Sequence, residues 1–386
     1  MKLQNKTIAI VGGGPGGLTL AKLLQQEGVQ VKVYERDLNK NARVQGSPLD
    51  LHDDSGLAAI IKANLLQEFK NNFLPKADRK KIMNADAEVF FSDHDEKLVE
   101  DFGNPHFRPE IDRGDLRKIL LDALEPETVV WDCHFTTMER QNEGWLLQFK
   151  NGFSVYADLV IAADGANSKI RPYVTDSIPI YSGITMLEGT IYDAINSAPK
   201  IFKMLNGGKI MAFGNEKDIL LGQKGNGEIG FYASFKTNEN WAKSSGLDFS
   251  NNNEVLNWFT NFYQGWHPVW QELFENTTAP FIPRPIYYMP LDQKWEAKSN
   301  VTLLGDAAHV MPPFAGEGVN MAMRDALELS NCLLSDEYAI PLEAIQTYET
   351  NMRQRAIAAT KESLENGIFM HSEQALTLML DFFANH

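Results

Sequence analysis

The pattern of apolar residues near the N-terminus predicts a strand, a tight turn and a helix. The mostly apolar and β-branched residues 7–11 run directly into a glycine cluster at 12–17. A helix-compatible segment, 18–26, follows, and a second apolar stretch at 29–35 ends in Glu35. This alternation of strand and helix is typical of a Rossmann-like α/β domain built on a parallel sheet.

Two later strands of the buried type end in a glycine and an aspartate. Residues 159–163 run into Asp164-Gly165, and residues 300–304 run into Gly305-Asp306, after which a Pro- and Gly-rich loop leads to a helix at 319–334. Open α/β sheets bind ligands at the carboxyl ends of their strands. Taken alone, the first of these stretches fits equally well a plain strand and turn with Asp164 as a helix N-cap.

The rest of the chain alternates between helical and extended periodicities. Asn-Gly between two alternating segments is the strongest short-range hairpin signal. The pattern predicts a helix at 55–66, a hairpin of 87–91 with 97–100 about 93–95, a helix at 112–124, a hairpin of 145–150 with 153–156 about Asn151-Gly152, and helices near 253–263, 269–274, 342–366 and 373–383.

A change in the pattern of apolar and aromatic residues at about residue 175 predicts a second domain. From there to 298 the alternation is irregular and aromatic residues are frequent. We expect a mainly antiparallel substrate domain inserted into the first, α/β domain, and the aromatic residues of the insertion form its core or line a pocket. The predicted boundaries are 1–174 and 299–340 for the two parts of the first domain, 175–298 for the insertion and 341–386 for C-terminal helices.

Composition excludes several classes of function. The 386 residues carry a net charge of −15, which argues against nucleic acid or an anionic membrane as the main partner. The two cysteines, Cys133 and Cys332, predict neither a disulfide framework nor a metal site. No apolar run reaches the length of a membrane span. We expect a cytoplasmic protein, preferably a monomer, with a dimer left open.

The glycine cluster predicts a phosphate-binding turn. Gly12, Gly14 and Gly17 occupy the three glycine positions of G-x-G-x-x-G, which allow the turn, the approach of a pyrophosphate and close helix–strand packing. The helix start would direct its N–H groups at a phosphate. Glu35 lies where a ribose hydroxyl needs an acceptor. The fingerprint predicts an ADP-containing dinucleotide.

Two basic residues on the helix predicted at 112–124 have two interpretations. Arg113 and Arg117 are four residues apart and so lie on one face. Asp112 and Asp115 are close enough in sequence to neutralise them on a solvated surface, and the residues alone favour that interpretation.

Together, the motifs resemble a known family. The glycine turn with Glu35 and Arg36 and the two strand ends, in this order and spacing, resemble the single-component FAD-dependent monooxygenases of the p-hydroxybenzoate hydroxylase-like type. The resemblance covers nearly the whole chain. Several segments, including Leu49-Asp50-Leu51-His52 and 305–320, are similar to those of the tetracycline-inactivating flavin monooxygenases.

This resemblance implies roles for individual residues. It implies cofactor contacts for Gly12, Gly14, Gly17, Glu35 (adenosine ribose), Arg36 (adenine), Arg43 (NADPH), Asp50, Arg113, Arg117, Asp164 and Asp306 (ribityl chain). The contact of Arg113 with FAD replaces its solvated-surface interpretation. The N–H groups of Gly316, Gly318 and Asn320, at a helix start, would stabilise the negative charge of reduced flavin.

The resemblance also implies a reaction. FAD reduced by NADPH would react with O2 to a flavin C4a-hydroperoxide, which hydroxylates a small aromatic or polycyclic compound, with a tetracycline-type antibiotic among the candidates. The cofactor carries the hard chemistry, so we expect no obligatory catalytic side chain. His309 fits a general base or, preferably, a hydrogen-bonded structural group.

The substrate side departs from the tetracycline-inactivating pattern. Glu188 and Lys209 stand in place of a glutamine and an arginine, and Phe231 and Tyr232 follow Gly230 in place of a His-Phe-Gly sequence. These exchanges change charge and volume. The pocket candidates are Glu188, Lys209, Met211, Phe213, Phe231, Tyr232, Phe369 and Met370.

Two alternatives remain open at this point. One is a flavoprotein reductase or dehydrogenase that inserts no oxygen, and the other is a flavin-containing protein that binds an antibiotic without turnover. A flavin-dependent halogenase is disfavoured because the chain has no W-x-W-x-x-P segment.

Overall fold

The computed structural model describes residues 3, 5–41, 48–96, 100–278 and 280–384. The strands within these ranges are β1 Ile8–Val11, β2 Val31–Tyr34, β3 Leu49–Asp50, β4 Lys80–Asn84, β5 Val89–Ser92, β6 Glu110–Ile111, β7 Val129–Val130, β8 Phe135–Gln141, β9 Gly144–Phe149, β10 Ser154–Ala157, β11 Leu159–Ala162, β12 Ile180–Ile191, β13 Lys209–Gly214, β14 Lys217–Gln223, β15 Ile229–Lys236, β16 Ile282–Tyr288 and β17 Val301–Leu303.

The helices complete the set of elements. They are α1 Pro15–Gln26, α2 Gly56–Lys62, α3 Leu66–Lys70, α4 Arg113–Asp122, α5 Ala194–Ser197, α6 Pro199–Leu205, α7 Trp241–Ser244, α8 Asn252–Phe262, α9 Gln271–Glu275, α10 Asp306–His309, α11 Gly318–Leu334, α12 Pro341–Met370 and α13 Ala375–Ala384. Short 3₁₀ turns lie at Arg171–Tyr173, Pro268–Trp270 and Pro313–Ala315. Over the described part of the chain, none of these helices is both long enough and apolar enough to cross a bilayer.

A five-stranded parallel sheet carries the motifs that the sequence singled out. Its order is β17-β11-β1-β2-β7. Every residue of β1 and β11 is buried, which is typical of strands covered on both faces. The glycine turn follows β1, Glu35 follows β2, Asp164 follows β11 and Gly305 follows β17. Because carboxyl ends of parallel strands meet at one sheet edge, four distant segments come together there.

A seven-stranded sheet forms the second layer, in the order β16-β12-β15-β14-β13-β4-β5. Its pairs are antiparallel except for β13 with β4. One face packs on a separate core that contains Leu187, Phe231, Phe259 and Trp270. The fold is therefore the predicted α/β domain combined with a mainly antiparallel sheet. Strands β4 and β5 join this sheet from residues 80–92, within the segment predicted as the first part of the FAD-binding domain.

One local prediction was wrong, and another extends beyond the described residues. Strand β5 pairs with β4 around a turn that starts at Asn84, whose side chain accepts from the Glu88 N–H at 2.9 Å. The predicted pairing of 87–91 with 97–100 about 93–95 includes residues 97–99, which lie outside the described residues. The helix predicted over 55–66 divides into α2 and α3 because Asn64 between them adopts φ +59°. The hairpin at Asn151-Gly152 was predicted correctly.

Helix α12 connects the two sheets. Its 30 residues extend over roughly 45 Å. Near its start the Tyr348 hydroxyl donates to the Leu303 carbonyl of the parallel sheet at 2.9 Å. At its end His371 Nε2 lies 2.6 Å from Ser234 Oγ and 3.2 Å from Asp218 Oδ2, both on the seven-stranded sheet. The helix thereby fixes the spacing between the two layers.

Candidate active site

The glycine turn is constrained by backbone contacts. Gly12 adopts φ +112°, and a Cβ there would lie 2.2 Å from the Ala163 carbonyl oxygen. A Cβ on Gly17 would lie 2.2 Å from the Gly12 oxygen. Gly14 is different because, within the ranges that the structure describes, only its own chain neighbours lie within 4 Å of its Cβ position. The first and third glycines therefore allow packing, and the second borders open space at the start of α1, where a pyrophosphate would approach.

Glu35 closes this turn from the next strand. Its carboxylate is 2% exposed and accepts from the Gly13 and Asp37 N–H groups, the latter at 3.0 Å. The acceptor predicted for a ribose is thus held beside the glycines. Arg36, which follows, is exposed. Arg43, the predicted NADPH contact, lies outside the described residues.

The two arginines of α4 have different environments. Arg117 is 4% exposed and donates to the Lys40 carbonyl at 3.0 Å and to Asp37 Oδ2 at 3.1 Å, with a longer contact of 3.4 Å to the Gly13 carbonyl. Its guanidinium therefore braces the glycine turn. Arg113 is exposed, and its positive charge partly offsets the rise that the surrounding protein causes in the pKa of Asp306. Its contact with FAD stays a prediction.

The Asp164 strand end contains a polar group without a partner. Asp164 Oδ2 accepts from the Lys169 N–H at 2.9 Å, whereas its buried Oδ1 has no hydrogen-bond partner among the described residues. Burial raises the pKa of this carboxyl group. The unpartnered oxygen is suited to accept from a ligand hydroxyl or N–H.

Arg171 connects two of the motifs, and the sequence reasoning missed it. The side chain is 5% exposed and donates to the carbonyl oxygens of Ala166 at 2.8 Å, Asp306 at 2.9 Å and Ala307 at 2.7 Å. The turns after β11 and β17 are thereby fixed to each other. The available signal was an arginine between the apolar Ile170 and Pro172, in a segment that had to pack on the sheet.

Asp306 begins α10 at the carboxyl end of β17. The preceding Gly305 has φ +58°, and a Cβ there would meet Ala322 Cβ at 2.9 Å. The Asp306 side chain is exposed at the sheet edge. Surrounding protein atoms raise its pKa, an effect partly offset by the positive charges of His309, Arg113 and Arg171. This carboxylate is available to a ligand that bridges the motifs.

His309 has a structural role, as preferred from the sequence. Its ring is 1% exposed, and Nε2 lies 2.5 Å from Asp325 Oδ2. The same oxygen accepts from the Gly305 N–H at 2.9 Å, and Arg355 donates to the other oxygen at 3.1 Å. His309 thus helps to fix Gly305 through the Asp325 carboxylate.

The loop before α11 is held by the side chain of Asn320. This fully buried amide donates to the Asp50 carbonyl at 3.0 Å and accepts from the His52 N–H at 2.9 Å and the Gly56 N–H at 3.3 Å. Gly316 has φ +71°, and its nearest neighbour in the Cβ direction is Asp50 Oδ1 at 3.6 Å. The loop predicted to contact flavin and the strand that carries Asp50 form one unit.

Charged side chains lie around Asp50 and the loop before α11. His52 Nε2 lies 3.1 Å from Asp50 Oδ2, and His52 Nδ1 lies 3.3 Å from Glu317 Oε1. Burial alone would lower the pKa of His52, but the two carboxylates outweigh it and raise the pKa to about 9. On the other side of Asp50, the Lys209 ammonium pairs with the buried Glu110 carboxylate.

Pairing registers show which predicted pocket residues share a face of the seven-stranded sheet. Glu188, Tyr232, Leu220 and Met211 form one row across β12, β15, β14 and β13. Met211 and Leu220 pack in a cluster that also includes Phe314 of the loop before α11 and residues of the C-terminal helices α12 and α13. The row therefore lies on the face of the sheet that is turned toward this loop and these helices. Glu188 pairs with Arg284 on β16.

Other pocket candidates are placed differently. Phe231 is a correction: it points to the opposite face, where it is fully buried and stacks edge-on against Phe274 and Phe281. Phe213 and Met370 are buried in the cluster between the sheet and the C-terminal helices, and Phe369 is 46% exposed on α12. Core packing accounts for the first two and a surface position for the third.

The sheet edge fits an extended dinucleotide such as FAD. Apart from chain neighbours, no atom of the described residues lies within 4 Å of the Cβ positions of Gly14, Gly165 and Gly318, so each of the three turns borders open space in this part of the structure. Two carboxylates, Asp164 with its unpartnered oxygen and the exposed Asp306, lie between these turns. A ligand with phosphates, hydroxyls and N–H groups along its length matches this donor set.

Comparison with known proteins gives the same assignment. A family model described as "FAD binding domain" matches residues 5–213 and 292–363, more than half of the chain. The 6-hydroxynicotinate 3-monooxygenase of Pseudomonas fluorescens is 26% identical over 372 residues, which cover 94% of this chain and 91% of that protein. Other curated relatives, including monooxygenase asqM of Emericella nidulans, also carry monooxygenase names.

Solved structures share the fold. Klebsiella pneumoniae HpxO complexed with FAD and uric acid superimposes with a TM-score of 0.76 at 22% identity, covering 98% of this chain and 92% of that one. Tetracycline destructase Tet(55) superimposes with a TM-score of 0.73 at 19% identity, covering 97% and 92%. The chain therefore belongs to the FAD binding domain family and is a flavin monooxygenase whose cofactor is FAD.

Proposed function

We propose that this enzyme uses NADPH and O2 to hydroxylate a small aromatic or polycyclic compound. The observation that carries the proposal is the row Glu188, Tyr232, Leu220 and Met211 on the seven-stranded sheet, two of whose members pack in one cluster with Phe314 of the loop before α11. The three turns at the edge of the parallel sheet, at Gly14, Gly165 and Gly318, would form the cradle for the cofactor. The named activities of relatives on hydroxylated nicotinate and aminohydroxybenzoate support an aromatic substrate.

The side chains divide the work between the cofactor and the substrate. FAD, when bound, supplies the redox chemistry and the activation of O2. The residues of the three turns, with Glu35, Asp164 and Asp306 as hydrogen-bond acceptors, position the adenosine and ribityl parts of FAD. The N–H groups at the start of the 17-residue helix α11 stabilise negative charge on the reduced ring.

The substrate surface favours a flat compound with limited charge. Its two charged ends are already paired, Glu188 with Arg284 and Lys209 with Glu110, and apolar Met211 and Leu220 lie between. Adjacent strands are about 4.8 Å apart, so the row spans roughly 14 Å, enough for two or three fused rings. The apolar part would exclude water and orient an electron-rich carbon.

The test is a turnover screen with labelled oxygen. Phenols, quinolones, tetracyclines and other fused-ring polyketides are incubated with the FAD-loaded enzyme, NADPH and ¹⁸O2. We expect one compound class to stimulate NADPH oxidation and to gain one labelled oxygen atom by mass spectrometry. Stimulated oxidation with an unlabelled, dehydrogenated or reduced product would instead indicate a reductase or dehydrogenase. Absence of NADPH oxidation with every compound that binds would indicate a binding protein.

A further inference from the structure

We propose that Lys209 and His52 form a charge chain, Glu110–Lys209–Asp50–His52–Glu317, that positions the flavin-contacting loop and sets the affinity for FAD. Glu110 lies on β6 opposite Asp50, Lys209 lies on β13 of the seven-stranded sheet, and Glu317, at the far end, is the residue before α11. Lys209 is thus a positioning residue that acts on the cofactor through Asp50, in addition to any contact with substrate. The inference rests on FAD binding alone and requires neither NADPH nor a particular substrate.

The His52 part of the chain needs a doubly protonated ring. Both ring nitrogens lie within 3.3 Å of a carboxylate oxygen, Nε2 with Asp50 and Nδ1 with Glu317. A neutral imidazole carries one proton and leaves one carboxylate facing a lone pair. Because His52 is 7% exposed, water cannot readily replace the missing donor.

The Lys209 part separates two carboxylates. Asp50 and Glu110 are directly opposite each other in the two-residue ladder of β3 with β6, and like charges at such positions are destabilising. Lys209 reaches them from β13, pairs with Glu110 and lowers the pKa of Asp50. A glycine, Gly222, lies beside it on β14, where a Cβ would be 3.7 Å from Lys209 Cγ.

Asp50 connects the charge chain to the loop before α11. Its main-chain oxygen accepts from the Asn320 amide at 3.0 Å, and its Oδ1 lies 3.6 Å from the Cβ position of Gly316. Glu317, the far end of the chain, is the N-cap residue of α11. Both sides of the glycine loop are therefore attached to the charge chain.

Removing one member would leave an uncompensated buried charge. Without Lys209, Glu110 and Asp50 repel each other across their ladder, and the ladder can relieve this only by separation or by proton uptake. Burial, against the opposing charge of Lys209, raises the pKa of Glu110 to about 7, so this carboxyl group is the first to take a proton. Separation shifts Asp50 relative to Gly316, and with either response Asp50 has lost the neighbouring positive charge of Lys209.

The decisive experiment measures FAD binding to flavin-free protein at pH 7 by quenching of flavin fluorescence, without NADPH or substrate. Lys209→Met and His52→Gln are each expected to raise the Kd about tenfold. Lys80→Met is the matched control, because Lys80 pairs with Lys209 in register on β4 but packs on the Phe383 ring. It should change the Kd by less than about twofold. Wild-type affinity in Lys209→Met would overturn the proposal.

A double variant covers the case in which Lys209→Met folds poorly. In Glu110→Gln/Lys209→Met both charges are absent, so affinity is expected to recover to within about threefold of wild type. Equal or greater loss in the double variant than in Lys209→Met would contradict the charge chain and indicate a packing role for Lys209.

The pH profile separates positioning from simple packing. The pKa of His52 is raised from 6.5 to about 9. The stabilisation from its contacts with the two carboxylates is therefore complete below pH 6.5 and is lost as the pH rises through 9. The groups that face it are Asp50 and Glu317, with Lys209 beyond Asp50, and the pKa of Lys209 is itself raised. Between pH 7 and 9.5 the wild-type Kd should rise several-fold more than that of His52→Gln. Identical profiles would contradict the proposal.

Discussion

The cofactor end and the proposed substrate end of this enzyme are built from different parts of the polypeptide. At the parallel sheet edge, most contacts involve the backbone: glycine turns, carbonyl oxygens held by Arg171 and N–H groups at helix starts. On the seven-stranded sheet, paired and stacked side chains form the surface. The backbone geometry at the first end suits one cofactor, which is common to the family. Side chains on a fixed sheet are easily exchanged, so we expect the second end to determine the substrate of the individual enzyme.

The largest effect is expected within the glycine turn. In Gly17→Ala the new Cβ meets the Gly12 carbonyl at 2.2 Å, and the free energy of unfolding should fall by about 3 kcal/mol or more. Gly14→Ala is the control, since its Cβ meets no protein atom; it should unfold like wild type and yet bind FAD more weakly. Denaturant unfolding and FAD titration of both variants would reveal the contrast, and similar unfolding curves would refute it.

Arg171→Met tests whether the two strand ends are fixed to each other. Three carbonyl oxygens lose their donor, so we expect a decrease of about 2–3 kcal/mol in unfolding free energy. FAD affinity should fall in parallel, because Asp306 loses its orientation. Arg140→Met, which removes an exposed cation that lies over the Trp145 ring, is the matched control. Retention of full FAD affinity in Arg171→Met would show that the link is not needed.

Asp306→Ala should affect cofactor binding without affecting the fold. Because the side chain is exposed, the free energy of unfolding of the flavin-free protein, measured by thermal unfolding, is expected to stay within about 0.5 kcal/mol of the wild-type value. Loss of a hydrogen bond to a charged acceptor should raise the Kd for FAD about tenfold or more. A variant purified with full flavin occupancy would contradict the role of Asp306.

The same division explains what the sequence could predict. The three cofactor motifs are local, because in each of them the glycines, the strand end and the helix start follow one another within about 20 residues. Residues close in sequence therefore determine their geometry. Arg171 and the charge chain depend on contacts between segments far apart in sequence, which periodicity does not reveal. One error was avoidable. Phe231 and Tyr232 are consecutive in a strand and so must point to opposite faces, and only Tyr232 shares the face of Glu188.

The smallest effect is expected at the substrate end. Glu188→Gln removes the ion pair with Arg284 and should change KM for the substrate found in the screen by a few-fold, about 1 kcal/mol, with the Kd for FAD unchanged. Phe231→Leu, on the opposite face of the same sheet, should lower stability and leave KM unchanged. Steady-state kinetics and unfolding curves of the two variants distinguish the faces, and a reversed pattern would place the substrate elsewhere.

The central claim is that three separate turns hold one FAD per chain. It is tested most directly by the flavin-to-protein ratio of the purified enzyme, measured by absorbance before and after incubation with FAD and removal of the excess. The account predicts a yellow protein that reaches one FAD per polypeptide and approaches this ratio far less readily when Gly14 is replaced by Ala. A colourless protein that retains no FAD after incubation would contradict it.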